Sequence, residues 1–144
     1  MKLVTRVVAA IGGALALCAA TAALAQTTPT TPPNRLVVQV SDGDPARWNM
    51  VLNNIKNVQS ELGKNVEIEL VAYGPGIGIL KFDAPTSGRI ADAVKSGVKV
   101  VACENTMTVQ NISKKDMHPD IDYVSAGAVE IMRKQLQGWA YLRP

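Results

Sequence analysis

Apolar residues fall in short blocks along this chain, and the blocks alternate between two periods. Arg35 to Gln39 (RLVVQ), extended by Val40 and Ser41, is a β-branched run that predicts a strand. Trp48, Val51, Leu52, Ile55, Val58 and Leu62 then recur three or four residues apart, the spacing of one helix face. Asp44 and Pro45 suit the cap and first position of that helix, and Gly63 its end. Val66 to Tyr73 is a second strand, followed by a glycine-rich loop, Gly74-Pro75-Gly76-Ile77-Gly78. Pro85 to Ser96 is expected to be helical, with Ile90, Ala91 and Val94 inward and Gly97 as the stop. Val98 to Cys103 predicts a third strand, whose unbroken apolar run fits burial on both faces. A short helix from Glu104 to about Asn111 and a brief strand at Ile121 to Val124 follow. Ser125 is expected to cap a helix reaching about Gln137, and Trp139 to Leu142 forms a last strand.

Strands alternating with helices predict an α/β fold: a mainly parallel sheet of about five strands with helices on both faces. In such sheets chemistry collects beyond the carboxyl ends of the strands. Three segments fall there: Ser41-Asp42-Gly43, Tyr73 to Gly78, and Cys103-Glu104-Asn105-Thr106.

The N-terminus changes the cysteine count. Lys2 and Arg6 precede an apolar run from Val7 to Leu24, and Ala23-Leu24-Ala25 is a small-residue cleavage pattern. Together they read as a signal peptide, residues 1–25, cut before Gln26, which places the protein in the periplasm or outside the cell. Cys18 follows Leu17, where lipid attachment needs a small residue, so it leaves with the signal. Residues 26–34 (QTTPTTPPN) have no apolar side chain and form a leader that builds no core. Residues 35–144 then make one domain, which no membrane segment accompanies after cleavage. Losing Lys2 and Arg6 takes the net charge from +3 to +1. No block of Lys and Arg with interleaved aromatics is present, so nucleic acid is not an expected partner.

The mature chain keeps one of the two cysteines, Cys103. A single thiol in an oxidising compartment implies either an intermolecular bridge or a free reactive group. At a strand-to-helix junction, the helix dipole and the amides of Asn105 and Thr106 would favour its thiolate, the nucleophilic form. Glu104 beside it would act in the opposite direction. Free cysteine is also among the most buried residue types, and the spacing does not separate a reactive thiol from an inert one.

Other patterns carry less chemistry. The glycines of the 74–78 loop fit a tight turn better than a phosphate cradle, since the spacing is not GxGxxG and no Lys-Ser/Thr pair follows. KKDMHPDID (residues 114–122) alternates Asp116, His118, Asp120 and Asp122, but Ile121 stands where a calcium loop needs glycine, and one histidine makes a poor zinc set. No metal and no cofactor are expected. Trp139 and Tyr141 share one face of the last strand, which fits both core packing at a sheet edge and a subunit interface.

Four segments together resemble the DsrE/DsrF-like superfamily, and within it a small single-domain branch: RLVVQVSDGDPARWNMVLNNIKNV, VEIELVAYGPGIGIL, VVACENTM and VEIMRKQLQGWAYLRP. They span nearly the whole mature domain. The resemblance implies a compact α/β domain assembled as a homotrimer or hexamer. In sulfur-relay members a cysteine after a central strand carries sulfur as a persulfide. Cys103 matches that position, and Gly74 with the loop after it matches the neighbouring pocket loop.

Three functions follow as expectations. In the first, a solvent-accessible Cys103 takes sulfur from a donor protein and passes it to an acceptor thiol. The Asn105 and Thr106 amides stabilise the charge, while Asp42, Tyr73, Gly74 and Gly76 line the site. In the second, the chain is a non-catalytic oligomeric module binding a small ligand, with Cys103 as a pocket wall. Dimerisation through Cys103 as a redox sensor is a third.

Overall fold

The computed structural model describes residues 34–144. The expected signal peptide, Cys18 and the Thr/Pro-rich leader lie outside the described residues, apart from Asn34 at the leader's end. Five strands form one sheet: β1 (Asn34–Val40), β2 (Val66–Ala72), β3 (Lys99–Cys103), β4 (Asp122–Val124) and β5 (Ala140–Leu142). Their order is β4-β3-β2-β1-β5, and every neighbouring pair is parallel. The helices are α1 (Pro45–Leu62), α2 (Ser87–Lys95), α3 (Glu104–Val109) and α4 (Gly127–Leu136).

Strand alternation divides the core. Val38 and Val40, Ile68, Leu70 and Ala72, and Val100 and Ala102 point to one face and pack with Val51, Leu52 and Ile55 of α1 and Ile90 and Ala93 of α2. The residues between them, Val37, Val71 and Val101, point to the other face and meet Ile131 of α4. The chain order dictates this arrangement. From β1 to β4 successive strands step one way across the sheet, and then the connection through α4 returns the full width to β5. Right-handed crossovers in opposite directions put their helices on opposite faces.

Local signals set the element ends. The Asp44 carboxylate accepts from the Ala46 amide at 2.9 Å, Pro45 opens α1, and Gly63 closes it with φ 57°. In α2, Ala93, three residues on, rather than Ala91 is the buried partner of Ile90, and the helix starts at Ser87 rather than Pro85. The loop expected at 74–78, read as a tight turn, is a 3-10 segment, Gly74–Leu80, that buries Gly76, Ile77, Ile79 and Leu80. Gly76 is required there: a Cβ would press into the Val40 carbonyl at the end of β1. A Cβ on Gly78 would meet the Trp48 ring at 2.8 Å. The last helix is not capped by Ser125. Ala126 holds the cap position and has no side-chain oxygen to offer the first turn.

β5 is an edge strand beside β1. Trp139 just before it is half-buried against Val37, Val71, Val101 and Ile131, with Lys134 Nζ 4.3 Å from its ring centroid. Tyr141 is 42% exposed and hydrogen-bonds Gln39 Oε1 at 2.6 Å.

Candidate functional site around Cys103

β3 runs buried on both faces to its last residue, Cys103, which is also the N-cap of α3. Cys103 shares the face of Val101, so its side chain turns toward α4. The first residue of α4, Gly127, is close by. A Cβ built on it would lie 3.3 Å from Cys103 Cβ and 3.1 Å from Tyr73 Cβ. Glycine at this position lets the helix start approach the thiol. The thiol is therefore enclosed on three sides, by the end of β3, the first turn of α3 and the start of α4.

The expectation of a solvent-accessible thiol is not met: Cys103 is 5% exposed. Burial pushes the thiol pKa up, since it disfavours the charged form. Hydrogen bonds outweigh it and hold the pKa below the ordinary thiol value. They come from the Thr106 hydroxyl, then from the amides of Gly127, Thr106 and Asn105. The Asn105 amide also donates to the Ser125 carbonyl at 3.1 Å. The Cys103 sulfur itself lies 3.9 Å from that carbonyl, the direction its S–H takes when protonated, and closes no full capping bond with α3.

Thr106 connects the site to the glycine segment. Its Oγ1 accepts from the Gly74 amide at 2.9 Å, which leaves the hydroxyl proton free to point at the sulfur. Gln110 Nε2 donates to the Gly74 carbonyl at 3.0 Å and ties α3 to the same turn. A donor chain thus runs from the Gly74 amide through Thr106 to Cys103, and each bond polarises the next. Glu104 does not oppose it, because its carboxylate pairs with Lys114 Nζ at 3.0 Å.

The structure brings Tyr73, Gly74, Asn105 and Thr106 to Cys103 or to its immediate partners. The other expected residues are engaged elsewhere. Gly76 donates its amide to the Tyr73 carbonyl, and its role is the close approach to β1. The Asp42 carboxylate lies 3.4 Å from Arg143, in a separate depression of about 240 Å³ lined by Asp42, Arg47, Arg143 and Pro144. A further depression of about 270 Å³ lies between α1 and α2, and neither includes Cys103. His118 is buried, with its amide on the Leu80 carbonyl and its Nδ1 accepting from the Asp120 amide. It is not among the groups around the sulfur. Asp116 caps a turn through Ser113, whose hydroxyl and amide lower the Asp116 pKa. Among the described residues, no group of three His, Cys, Asp or Glu side chains is placed to hold a metal ion.

Gly127 was not identified from the sequence, and Ser125 was expected only as a helix cap. The available signal was the run Ser125-Ala126-Gly127: three small residues where a helix begins mark a close approach.

The profile of the DsrE/DsrF-like family matches residues 11–144. Among solved structures, the chain is similar to the protein of unknown function MTH1491 from Methanobacterium thermoautotrophicum. The two share 34% identity and a TM-score of 0.74, covering 77% of this chain and 99% of that one. The protein of unknown function BT1422 from Bacteroides thetaiotaomicron shares the fold at 13% identity and TM-score 0.65, over 77% and 95% of the two chains. The ychN protein of E. coli does so at 13% identity and TM-score 0.64, over 78% and 99%. No curated protein matches the chain.

Proposed function

The chain belongs to the DsrE/DsrF-like family, and on that premise we propose that it carries sulfur on Cys103. The observation that carries the reading is the set of donors around one sulfur: the Thr106 hydroxyl and the amides of Gly127, Thr106 and Asn105. Such an arrangement has little use around an inert thiol. It stabilises a thiolate at rest and the same thiolate as a leaving group.

In the proposed reaction, the Cys103 thiolate attacks the outer sulfur of a donor persulfide, R–S–SH. A new sulfur–sulfur bond forms to Cys103, the donor's own sulfur–sulfur bond breaks, and the donor leaves as the thiolate R–S⁻. The terminal sulfur keeps its proton. Transfer onward repeats the exchange, with an acceptor thiolate attacking the outer sulfur and the Cys103 thiolate leaving. No external oxidant or reductant is consumed. The donor and acceptor proteins have to reach a nearly covered thiol, with half-buried Tyr73 packed beside Gly127 next to it.

The protein works, on this reading, in the periplasm or outside the cell, as the basic and apolar N-terminal residues suggest. It is a homo-oligomer, and Val129, Met132 and Leu136, exposed along α4, support a subunit contact.

Incubating the protein with polysulfide and measuring intact mass tests the carrier. One added sulfur atom, lost on reduction and missing from Cys103→Ser, is the expected result. The burial of Cys103 favours a second reading, a ligand-binding module in which the cysteine is a wall residue. Under it, the protein takes up no sulfur while folded.

A further inference from the structure

Only one apolar side chain of α4, Ile131, is buried in the sheet. It rests on three valines, Val37, Val71 and Val101, with Tyr73, Val124 and Trp139 packed around them. One buried aliphatic side chain fixes the helix axis only loosely. Yet the Gly127 amide has to sit at one height to reach the Cys103 sulfur.

Glu69 on β2 supplies a fixed point. Its carboxylate is fully buried, at 0% exposure, on the face that α4 covers. Lys134 Nζ of α4 lies 2.7 Å from Glu69 Oε2, and its side chain is 14% exposed. The contact is an ion pair without aligned hydrogen bonds, since neither Glu69 oxygen has a partner in hydrogen-bond geometry. The surrounding charges are few. Lys99 of β3 lies 3.3 Å from the same oxygen and is half exposed, and Glu130 of α4 lies 3.7 Å from Lys134. Arg35 of β1 and Lys134 both lie over the Trp139 ring.

The spacing fits. Gly127, Ile131 and Lys134 fall at i, i+4 and i+7, one face of a helix. Seven residues of helix span about 10.5 Å. On the sheet, Tyr73 beside Cys103 lies four residues beyond Glu69, about 13 Å of strand. The lysine side chain covers the difference. Buried ion pairs are poor sources of stability, and their best-attested use is to fix a register.

We propose that the Glu69–Lys134 pair sets the axial position of α4 and so places the Gly127 amide on the Cys103 sulfur. Both are positioning residues, and neither touches the thiol. The inference rests on the proposed role of Cys103, but its test is separate. The Glu69→Leu/Lys134→Leu double variant removes both charges together and leaves neither one buried alone. It is expected to stay folded. Its Cys103 alkylation at neutral pH should slow about tenfold, the loss of one hydrogen bond to a charged sulfur. In wild type the Gly127 amide resonance should follow the ionisation of Cys103, and in the double variant it should not. Lys134→Arg keeps the pair and should retain the wild-type rate. If the double variant does not fold, Lys134→Met is compared with Lys134→Arg by the same two readouts. A folded variant without the pair that keeps both the wild-type alkylation rate and the Gly127 response overturns the proposal. Sulfur uptake from polysulfide is measured independently, so the carrier reading can fail while this inference stands, and the reverse.

Discussion

Gly127 and Cys103 come from different crossovers, yet the first amide of α4 is aimed at the sulfur that ends β3. The contact depends on one absence in the sequence: position 127 has no side chain, so the helix start can approach.

Gly127→Ala tests that approach. The new methyl meets Tyr73 at 3.1 Å and Cys103 at 3.3 Å, so the helix start must move away. Overpacking of this kind costs about 1–3 kcal/mol. Thermal unfolding should register the loss, and the alkylation midpoint of Cys103 should move to higher pH.

Thr106→Val removes the hydroxyl and nearly preserves the shape. The sulfur loses its largest single stabilising donor, and the Gly74 amide loses its acceptor. Stability should fall by roughly 1–2 kcal/mol. Thiolate formation, followed by absorbance near the thiolate band, should shift to higher pH, while Thr106→Ser should restore it.

The lowered thiol pKa has a consequence for stability. The folded protein holds the Cys103 proton less tightly than the unfolded chain does. Between the folded value and the free-thiol value of about 8.5, the unfolded chain binds more protons, so stability rises with pH. The contribution is complete above the free value and is lost as pH falls through the folded one. Denaturant unfolding of wild type and Cys103→Ser across neutral to mildly alkaline pH should show the gap widening in favour of wild type. A constant gap would contradict the assignment.

Gly76→Ala should be more damaging than Gly74→Ala or Gly127→Ala. Its Cβ falls on the Val40 carbonyl and the Ser41 backbone, and neither can rotate aside. Soluble yield and far-UV circular dichroism give the readout, with loss of the folded domain expected.

Much of the fold was legible in the sequence because period and punctuation agreed. Asp44-Pro45 and Gly63 bounded α1, and Trp48, Val51, Leu52 and Ile55 are its buried face. The alternation that separates Val37 from Val38, or Val100 from Val101, is the strand period itself. The 74–78 stretch reads as a loop with a tight turn, and its glycines give no sign of the buried 3-10 segment they open. Gly76 and Gly78 allow close packing against Val40 and Trp48, neighbours brought together only by folding. Cys103, Asn105, Thr106, Tyr73 and Gly74 could be singled out because they lie near strand ends. Gly127 could not, because its approach requires the return crossover from one sheet edge to the other. The same crossover explains Glu69: an acidic residue in a strand reads as solvent-facing until α4 brings Lys134 over it.

The most direct test of the account is the pH dependence of Cys103 alkylation in the native protein. The account predicts a thiol that reacts while the protein remains folded and titrates below the free-cysteine value of about 8.5. A thiol that stays unreactive at every pH until denaturant unfolds the protein would contradict it and leave Cys103 as a buried wall of the fold.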